Sequence, residues 1–467
     1  MAKRLIALLA AVAMLFTFVA CQQGGQGGSD ATPTPAQGGD DATPTEGVDY
    51  TEGGKWLNIP GANDNMDWRL PAMEFKTTEV VFLNHGEIAQ PDIERFSAFR
   101  DGYGLSHTTV TVGPEDRITK FVSSVMSEEA PDIFVYSFLP SMVNKGYVQP
   151  WDDYMDMSIG LWDKYRASAE TLKYKGHYYS VGAQQARWDS AVFYNVSIFE
   201  ELSLKSPKEY YDEGNWTWTT MRELAKQATV DADGDGTPEI YGFAADTGSC
   251  FVYSTGTAFV TFDSAAELGA SNNMRSDGVA RAMQFYTDLI VNDGVTLWGS
   301  DLRNEFAAGQ IAMYHPDAAW YCFGWVDMMK AGTVALVPFP KDPDADAYYI
   351  KEVYGDYMIG ANCKNPEGAA AYVLSAMYDQ LNTNDHIEKT NEERFEAGGW
   401  SNEIDDMIQE MCYSEDKVPV QMTWITFELG EYWGDIWFGP HLGEPWSAIA
   451  EAVYPKVQDN IVRVMEG

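Results

Sequence analysis

From about Thr77 onward, short apolar runs alternate with segments whose apolar residues recur at helical spacing. Glu79-Val80-Val81-Phe82-Leu83 has the near-continuous hydrophobicity of a strand buried on both faces. After Pro91-Asp92, the residues Ile93, Phe96 and Phe99 mark one face of a helix. Thr108 to Val112 is β-branched and reads as a second strand. Ile118, Phe121, Val122 and Val125 line a second helix, and Ile133 to Tyr136 is a third strand. This β-α-β-α-β order predicts an α/β fold with a mostly parallel sheet and right-handed crossovers. Ligands in such sheets sit beyond the carboxyl ends of the strands, which puts Asn84-His85-Gly86 and Ser137 on a rim.

The chain before this point follows other rules. Lys3 and Arg4 precede an apolar run from Leu5 to Val19 that is closed by Ala20, the architecture of a secretory signal peptide over residues 1–20. Phe18-Val19-Ala20-Cys21 resembles the lipobox of bacterial lipoproteins, with Phe18 where Leu is usual; Cys21 is then the lipidation site and the new N-terminus. The alternative is an ordinary signal with a chance cysteine. Gln22 to Gly54 is rich in Gly, Gln, Thr, Pro and Asp, and Asp30-Ala31-Thr32-Pro33-Thr34 recurs as Asp41-Ala42-Thr43-Pro44-Thr45. Such a segment cannot bury enough apolar surface to fold. As a tether it reaches roughly 30 Å. The expectation is an exported protein on the extracytoplasmic face of the cell membrane, held there by a lipid anchor over residues 21–54.

Composition narrows the partners. The 467 residues include 31 Lys+Arg against 70 Asp+Glu, a net charge of −39, which argues against nucleic acid and against docking on anionic lipid through a basic patch. Forty-five per cent hydrophobic residues, 15 of them Trp, are ample for sizeable cores. Beyond Cys21, the residues Cys250, Cys322, Cys363 and Cys412 either form two disulfides in one of three pairings or stay as thiols.

Six segments, in order, resemble the extracellular solute-binding proteins, family 1, of bacterial ABC sugar importers. They are Glu129-Ala130-Pro131-Asp132-Ile133; Asn144 to Tyr154 with Pro150-Trp151-Asp152; Tyr174-Lys175-Gly176-His177-Tyr178-Tyr179; Phe193-Tyr194-Asn195 to Glu201; Phe306 to Tyr314 with the later Trp320; and Lys364-Asn365-Pro366-Glu367. After Asp379 the resemblance fades, and the acidic, Trp-rich stretch from Trp400 to Trp446 carries no motif. The resemblance implies a type II periplasmic-binding-protein fold: two α/β lobes with a ligand cleft between them. By analogy the chain crosses near Arg187–Asp189, returns near Ala335–Pro340 and crosses again near Tyr378–Asn384. Lobe 1 is then 77–187 with 335–378, and lobe 2 is 190–332 with 385–467.

Sugars are held by flat aromatic faces and by carboxylates, amides and Arg on the hydroxyls. Candidates at strand ends and crossings are His85, Ser137, Arg187, Trp188, Asp189, Asp317, Trp320 and Asp356. Trp218 sits at a helix entry, where Thr220 and Glu223 have capping-box spacing, and reads as a packing residue.

Asp231-Ala232-Asp233-Gly234-Asp235-Gly236-Thr237-Pro238-Glu239 has carboxylates at positions 1, 3 and 5 and Gly at 6 of an EF-hand-type loop. Asp231, Asp233, Asp235, Thr237 and Glu239 are therefore candidate ligands for a structural Ca2+, although Gly242 stands where the twelfth-position Glu belongs. The same residues also suit a solvated Asp/Gly turn with no cation.

No G-x-S-x-G, H-E-x-x-H, Walker loop or dinucleotide fingerprint is present, so no catalytic residue is assigned and the protein is not expected to be an enzyme. The leading expectation is a monomeric, lipid-anchored substrate-binding subunit that captures a carbohydrate by lobe closure and delivers it to ABC permease subunits. An exported carbohydrate-active hydrolase or lyase, or a surface glycan sensor, are the alternatives.

Overall fold

The computed structural model describes residues 48–49, 56–57, 69–86, 98–182, 190–263, 265–299, 301–316, 325–352, 355, 357–381 and 416–466. The signal, Cys21 and most of the tether lie outside them. Ordered packing begins earlier than Thr77: Val48–Asp49 pairs with Trp56–Leu57, Trp56 bridges Pro71, and Leu70 is fully buried.

The first sheet contains β1 (Glu79–Asn84), β2 (Ser106–Thr111), β3 (Ile133–Val135), β4 (Val148–Gln149) and the late strand Tyr357–Gly360. Its order is β2-β1-β3-(Tyr357–Gly360)-β4, with β1 parallel to both of its neighbours and the late strand antiparallel. Helix α1 (Arg117–Met126) buries Phe121 and Val125 against this sheet, as its spacing predicts. The return helix Pro366–Leu381 is apolar around most of its circumference because it packs inside the lobe: Ala369, Ala370, Tyr372, Val373 and Met377 are all buried.

The second sheet is built from β5 (Ala191–Asn195), β6 (Ala244–Ala245), β7 (Met313–His315) and β8 (Val334–Pro338), in the order β8-β5-β7-β6. Strand β5 is buried at every residue, as a central strand should be, and runs antiparallel to β7 and β8. The stretch Glu239–Phe243 pairs only through single bridges: Ile240 with Val230, Tyr241 with Ile311 and Phe243 with Thr296.

Two large hydrophobic cores follow, with two smaller clusters beside them. One joins residues between Leu70 and Val181 to Met358–Tyr378; the other joins Val192–Phe339 to Phe427–Met465. Sequence analogy puts the return crossing at Ala335–Pro340, but β8 pairs with β5 along Val334–Pro338 and belongs to the second lobe. The segment between the sheets is instead β9 (Tyr348–Glu352), paired in parallel with β11 (Lys417–Gln421), where β10 denotes Tyr357–Gly360. The Ser190 hydroxyl donates to the Lys351 carbonyl at 2.8 Å, so the first crossing docks on the second. The lobes also touch elsewhere. Phe138 packs on Phe262, which packs on Phe427, each pair 5.5 Å between centroids, and Asn144 Nδ2 donates to the Met465 carbonyl at the end of the C-terminal helix Trp446–Glu466.

The described part of the Trp-rich tail, from residue 416, contributes to the core. Trp437 and Trp446 are buried around Phe259, and Trp424 stacks on Trp437 at 5.9 Å. Cys250 and Cys363 lie in different lobes and are not bonded to each other; Cys322 and Cys412 lie outside the described residues.

Asp132 is the tie point of the first lobe. Its carboxylate is buried and accepts from Val81 N at 2.8 Å and Asn365 N at 2.7 Å. Asn365 Nδ2 in turn donates to the carbonyls of Thr77 (2.9 Å) and Glu79 (3.0 Å). Burial pushes the Asp132 carboxyl up, while the backbone donors pull it down. Truncating it leaves two buried N–H groups unpaired, each costing about 1–3 kcal/mol. Asp132→Ala is therefore expected to lower urea-unfolding stability by several kcal/mol, and a loss below about 1 kcal/mol would show that the clasp does not hold the lobe.

Candidate functional site

Both sheets aim their strand ends at the crossing. Tyr357, the first residue of β10, lies opposite Val135 at the end of β3, and Val181 bridges Tyr357. The first crossing therefore leaves the first lobe at the carboxyl ends of its parallel strands. It enters the second at Ala191, which pairs with Pro338, the last residue of β8. Because β5 is antiparallel to β7, and β7 is parallel to β6, this is also the end where β6 and β7 finish. A cleft between two sets of strand ends, floored by the crossings, is the result.

On the first lobe the rim is formed by His85, Arg117, Tyr136 and Ser137. His85 is exposed; its N–H donates to Asn84 Oδ1 (2.8 Å), and its Nδ1 lies 3.0 Å from the same oxygen. Partial burial and then the Arg117 charge hold its pKa below the usual histidine value, so it is neutral at pH 7. Ser137 is half-buried just beyond β3. Arg117 and Tyr136 were not singled out from sequence. The Arg117 guanidinium lies 4.6 Å from the centre of the Tyr136 ring and donates to the Val135 carbonyl at 3.2 Å. Tyr136 stacks on Phe134 (5.6 Å), which stacks on Phe121 (4.1 Å). The core thus backs an aromatic face and a cation at the rim. The one available signal was position: Tyr136 adjoins Ser137, and Arg117 opens the helix that follows β2.

Arg187, Trp188, Asp189, Asp317, Trp320 and Asp356 lie outside the described residues. Their described flanks, Val181 and Ser190, Pro316, Gly355 and Tyr357, lie around the cleft end of the two sheets. His315 ends β7 there but is wholly buried, with Nδ1 2.8 Å from the Ala191 carbonyl oxygen and its ring against Phe339, so it serves packing. Trp218 is likewise a core residue, its Nε1 donating to Ser254 Oγ at 3.1 Å. The capping box of its helix is Thr217 with Thr220, not Thr220 with Glu223, because Thr217 has the extended backbone of the N-cap.

The acidic loop closes between Val230 and Ile240. Its carboxylates accept local backbone N–H groups: Asp231 from Gly234 (2.8 Å) and Gly236 (3.0 Å), Asp233 from Asp235 (3.0 Å), Asp235 from Thr237 (2.7 Å) and Glu239 from Ala232 (2.7 Å). Asp231, Asp233 and Glu239 bring one oxygen each within 4.8 Å of one another; Asp235 and Thr237 are not in that trio. Gly242 is glycine because a Cβ would fall 1.8 Å from the Ala225 carbonyl oxygen, so a twelfth-position Glu has no room. A groove of about 390 Å³ lined by Asp152, Met155, Asp156, Arg166 and Tyr178 lies on the flank of the first lobe and shares no residue with the rim.

Residues 84–376 match the model of the bacterial extracellular solute-binding protein family. The chain belongs to that family. Solved structures share the solute-binding fold at low identity. The sugar-binding protein MalE from Xanthomonas citri superposes with a TM-score of 0.60 at 14% identity, over 83% of this chain and 98% of that one. The cyclic alpha-maltosyl-1,6-maltose binding protein from Arthrobacter globiformis gives 0.56 at 17%, over 83% and 99%. An ABC substrate-binding protein from Listeria monocytogenes in complex with cycloalternan gives 0.54 at 16%, over 84% and 99%. No curated protein matches the sequence significantly. This solute-binding protein has the type II periplasmic-binding-protein fold, and its family places it outside the cytoplasm. Among the described residues no helix is long and apolar enough to cross a membrane.

The rim geometry is testable without a ligand. In a pH titration followed by NMR, His85 should titrate below the ordinary histidine value, and Arg117→Ala should move it upward. An unmoved His85 would show that Arg117 does not act on it.

Proposed function

We propose that this solute-binding protein is the lipid-anchored receptor of an ABC importer, capturing a sugar or oligosaccharide by lobe closure and passing it to the membrane permease. The observation that carries this reading is the convergence of both sets of strand ends on the crossing, with Tyr136 and Arg117 on one rim. An aromatic face covers the C–H patch of a pyranose while guanidinium and carboxylate groups hold its hydroxyls. The similar structures named for sugars support the ligand class. The candidates His85, Ser137, Arg187, Trp188, Asp189, Asp317, Trp320 and Asp356 stand as the proposed ligand contacts. Binding would shift an open–closed equilibrium toward the form that the permease recognises. Cys21 with its tether is the proposed anchor, the monomer is the proposed unit, and no chemical change is made to the ligand.

A sugar at one hundred times its Kd should stabilise the protein by about 2.7 kcal/mol. A melting-temperature screen over mono- and oligosaccharides should therefore find a ligand, and scattering should show the radius of gyration falling on its addition. Tyr136→Ala should weaken binding at least tenfold. A panel with no stabilising sugar and no compaction would reject the reading.

Calcium is a second, separate proposal. Asp231, Asp233 and Glu239 are hard oxygen donors of the kind that Ca2+ takes, and three exposed carboxylates so close repel one another without a cation. The ion would pin the loop between Val230 and Ile240, far from any reacting group. Millimolar Ca2+ should raise the melting temperature of the wild type and leave that of Asp231→Asn with Asp233→Asn unchanged. Equal response of both proteins, or none in either, would remove calcium from the site.

A further inference from the structure

His441 ties together two parts of the second lobe that lie far apart in sequence. It closes the short helix Gly439–His441, between the turn Gly434–Phe438 and the C-terminal helix Trp446–Glu466. Gly439 seats that helix closely, since a Cβ there would fall 2.6 Å from Ile449 Cδ1. Facing the imidazole is Tyr286, buried on the helix Asp277–Thr287, whose hydroxyl lies 3.0 Å from His441 Nε2. On the outer side is Trp298, 48% exposed, its ring 5.6 Å from the imidazole at 33°. Tyr286 in turn lies against the backbone of Gly248, where a Cβ would come 2.6 Å from Tyr286 Cδ1. Gly248 belongs to the loop Asp246–Ser249, which follows β6 at its cleft end. A line of contact therefore runs from the C-terminal helix through imidazole and phenol to the rim of the cleft.

This seat suits a neutral ring only. His441 Nδ1 is buried and meets no hydrogen-bonding partner among the described residues. In the imidazolium both nitrogens are donors, so Nδ1–H is left without an acceptor and the charge without water. The elements packed on the short helix supply no compensating charge. Arg281 is bound to Asp342, Asp288 to Gln284 and Asn292, Asp435 to Lys456, Glu451 to Arg275 and Arg463 to Glu428, while Asp277, Asp459 and Glu466 are exposed. Glu444 lies in the turn after His441, its N–H donating to the Gly439 carbonyl at 2.9 Å. The segment 294–299 that carries Trp298 has no charged residue. Burial alone pushes the imidazole pKa down, to about 4.

We propose that His441 is an acid-sensitive joint between the C-terminal helix and the cleft: proton uptake drives the imidazole out of its seat, breaks its bond to Tyr286 and slackens the loop Asp246–Ser249. The joint is closed at neutral pH and opens as the medium acidifies, loosening the second lobe's side of the cleft whatever occupies it. The ring titrates at about 4 when seated and near 6.5 when hydrated, so its contribution to the closed joint is complete above pH 6.5 and lost as pH falls through 4. Between pH 7 and pH 5 the ratio of open to closed joint then rises about twentyfold.

The test is hydrogen exchange followed by mass spectrometry on the full mature chain without ligand, at pH 7 and pH 5, with rates corrected for their intrinsic pH dependence. In the wild type, the segments 246–253 and 439–453 should lose about twentyfold more protection than the return helix of the first lobe. His441→Gln, whose amide is long enough to meet the Tyr286 hydroxyl but takes up no proton, should lose protection equally in the two lobes. NMR of the wild type with labelled histidine should show His441 titrating below pH 5, a readout that stands even where the substitution disturbs folding. Equal loss in both lobes of the wild type, an excess that survives in His441→Gln, or a His441 that titrates near the ordinary histidine value overturns the joint and leaves the binding reading above untouched.

Discussion

The Asp132 carboxylate is the constraint on which the first lobe depends, because it makes three separate pieces of chain share one buried charge. It stands at the start of β3, pairs with β1 through Val81, and caps the backbone at Asn365, where the return helix begins. Asn365 closes the circuit by holding the carbonyls of Thr77 and Glu79. A carboxylate kept this dry must be given N–H donors or be protonated. The donors come from segments some 50 and 230 residues away, so the charge is satisfied only when all three are in place. β10 pairs with β3 and, through the bridge between Tyr357 and Val181, sets where the first crossing leaves the lobe.

That dependence explains why so much of the fold was legible. The segments that mark the family in the sequence are the tie points of the structure. Asp132 and Asn365 belong to two of them. In two others, Trp151 Nε1 donates to the Tyr357 carbonyl (3.1 Å), and Lys175 and Gly176, both with positive φ, turn the short hairpin between Tyr174 and His177. In the opening β-α-β-α-β run, β1 and α1 were readable because each is long enough to show a buried pattern, whereas β2 is an edge strand recognisable only by its β-branched residues, and most of the first predicted helix, with Ile93 and Phe96, lies outside the described residues. The second lobe was less so. Its strand β6 has two residues, and Glu239–Phe243 is held by isolated bridges, so too few positions exist for a period to emerge. The misplaced return crossing has the same root: β8 is an apolar five-residue run, and nothing in such a run says whether it lies between lobes or inside one.

Around the candidate site, the strand ends were legible and the side chains that share the rim were not. Strand ends were identifiable, and His85 and Ser137 stand at them. Arg117 and Tyr136 escaped notice because an Arg at a helix start resembles a solvated charge, and a Tyr after a strand resembles core; only the stack from Phe121 through Phe134 reveals what they do together. Among the described tryptophans most are absorbed by the aromatic-rich cores, while Trp298 is exposed, a property of the folded edge alone. The tryptophans near the C-terminus make the opposite point: they carry no motif in the sequence, and Trp424, Trp437 and Trp446 pack around Phe259.

The contacts of Phe138 with Phe262 and of Asn144 with Met465 limit how the lobes can move. With the crossing ribbon alone the lobes would be joined as at a single knot, free to tilt and swivel in several directions. A second attachment away from the ribbon defines a line, and any motion that preserves both attachments is a rotation about that line. Lobe closure of the proposed kind would then be a rotation about that line, with points on each lobe sweeping distances set by how far they stand from it.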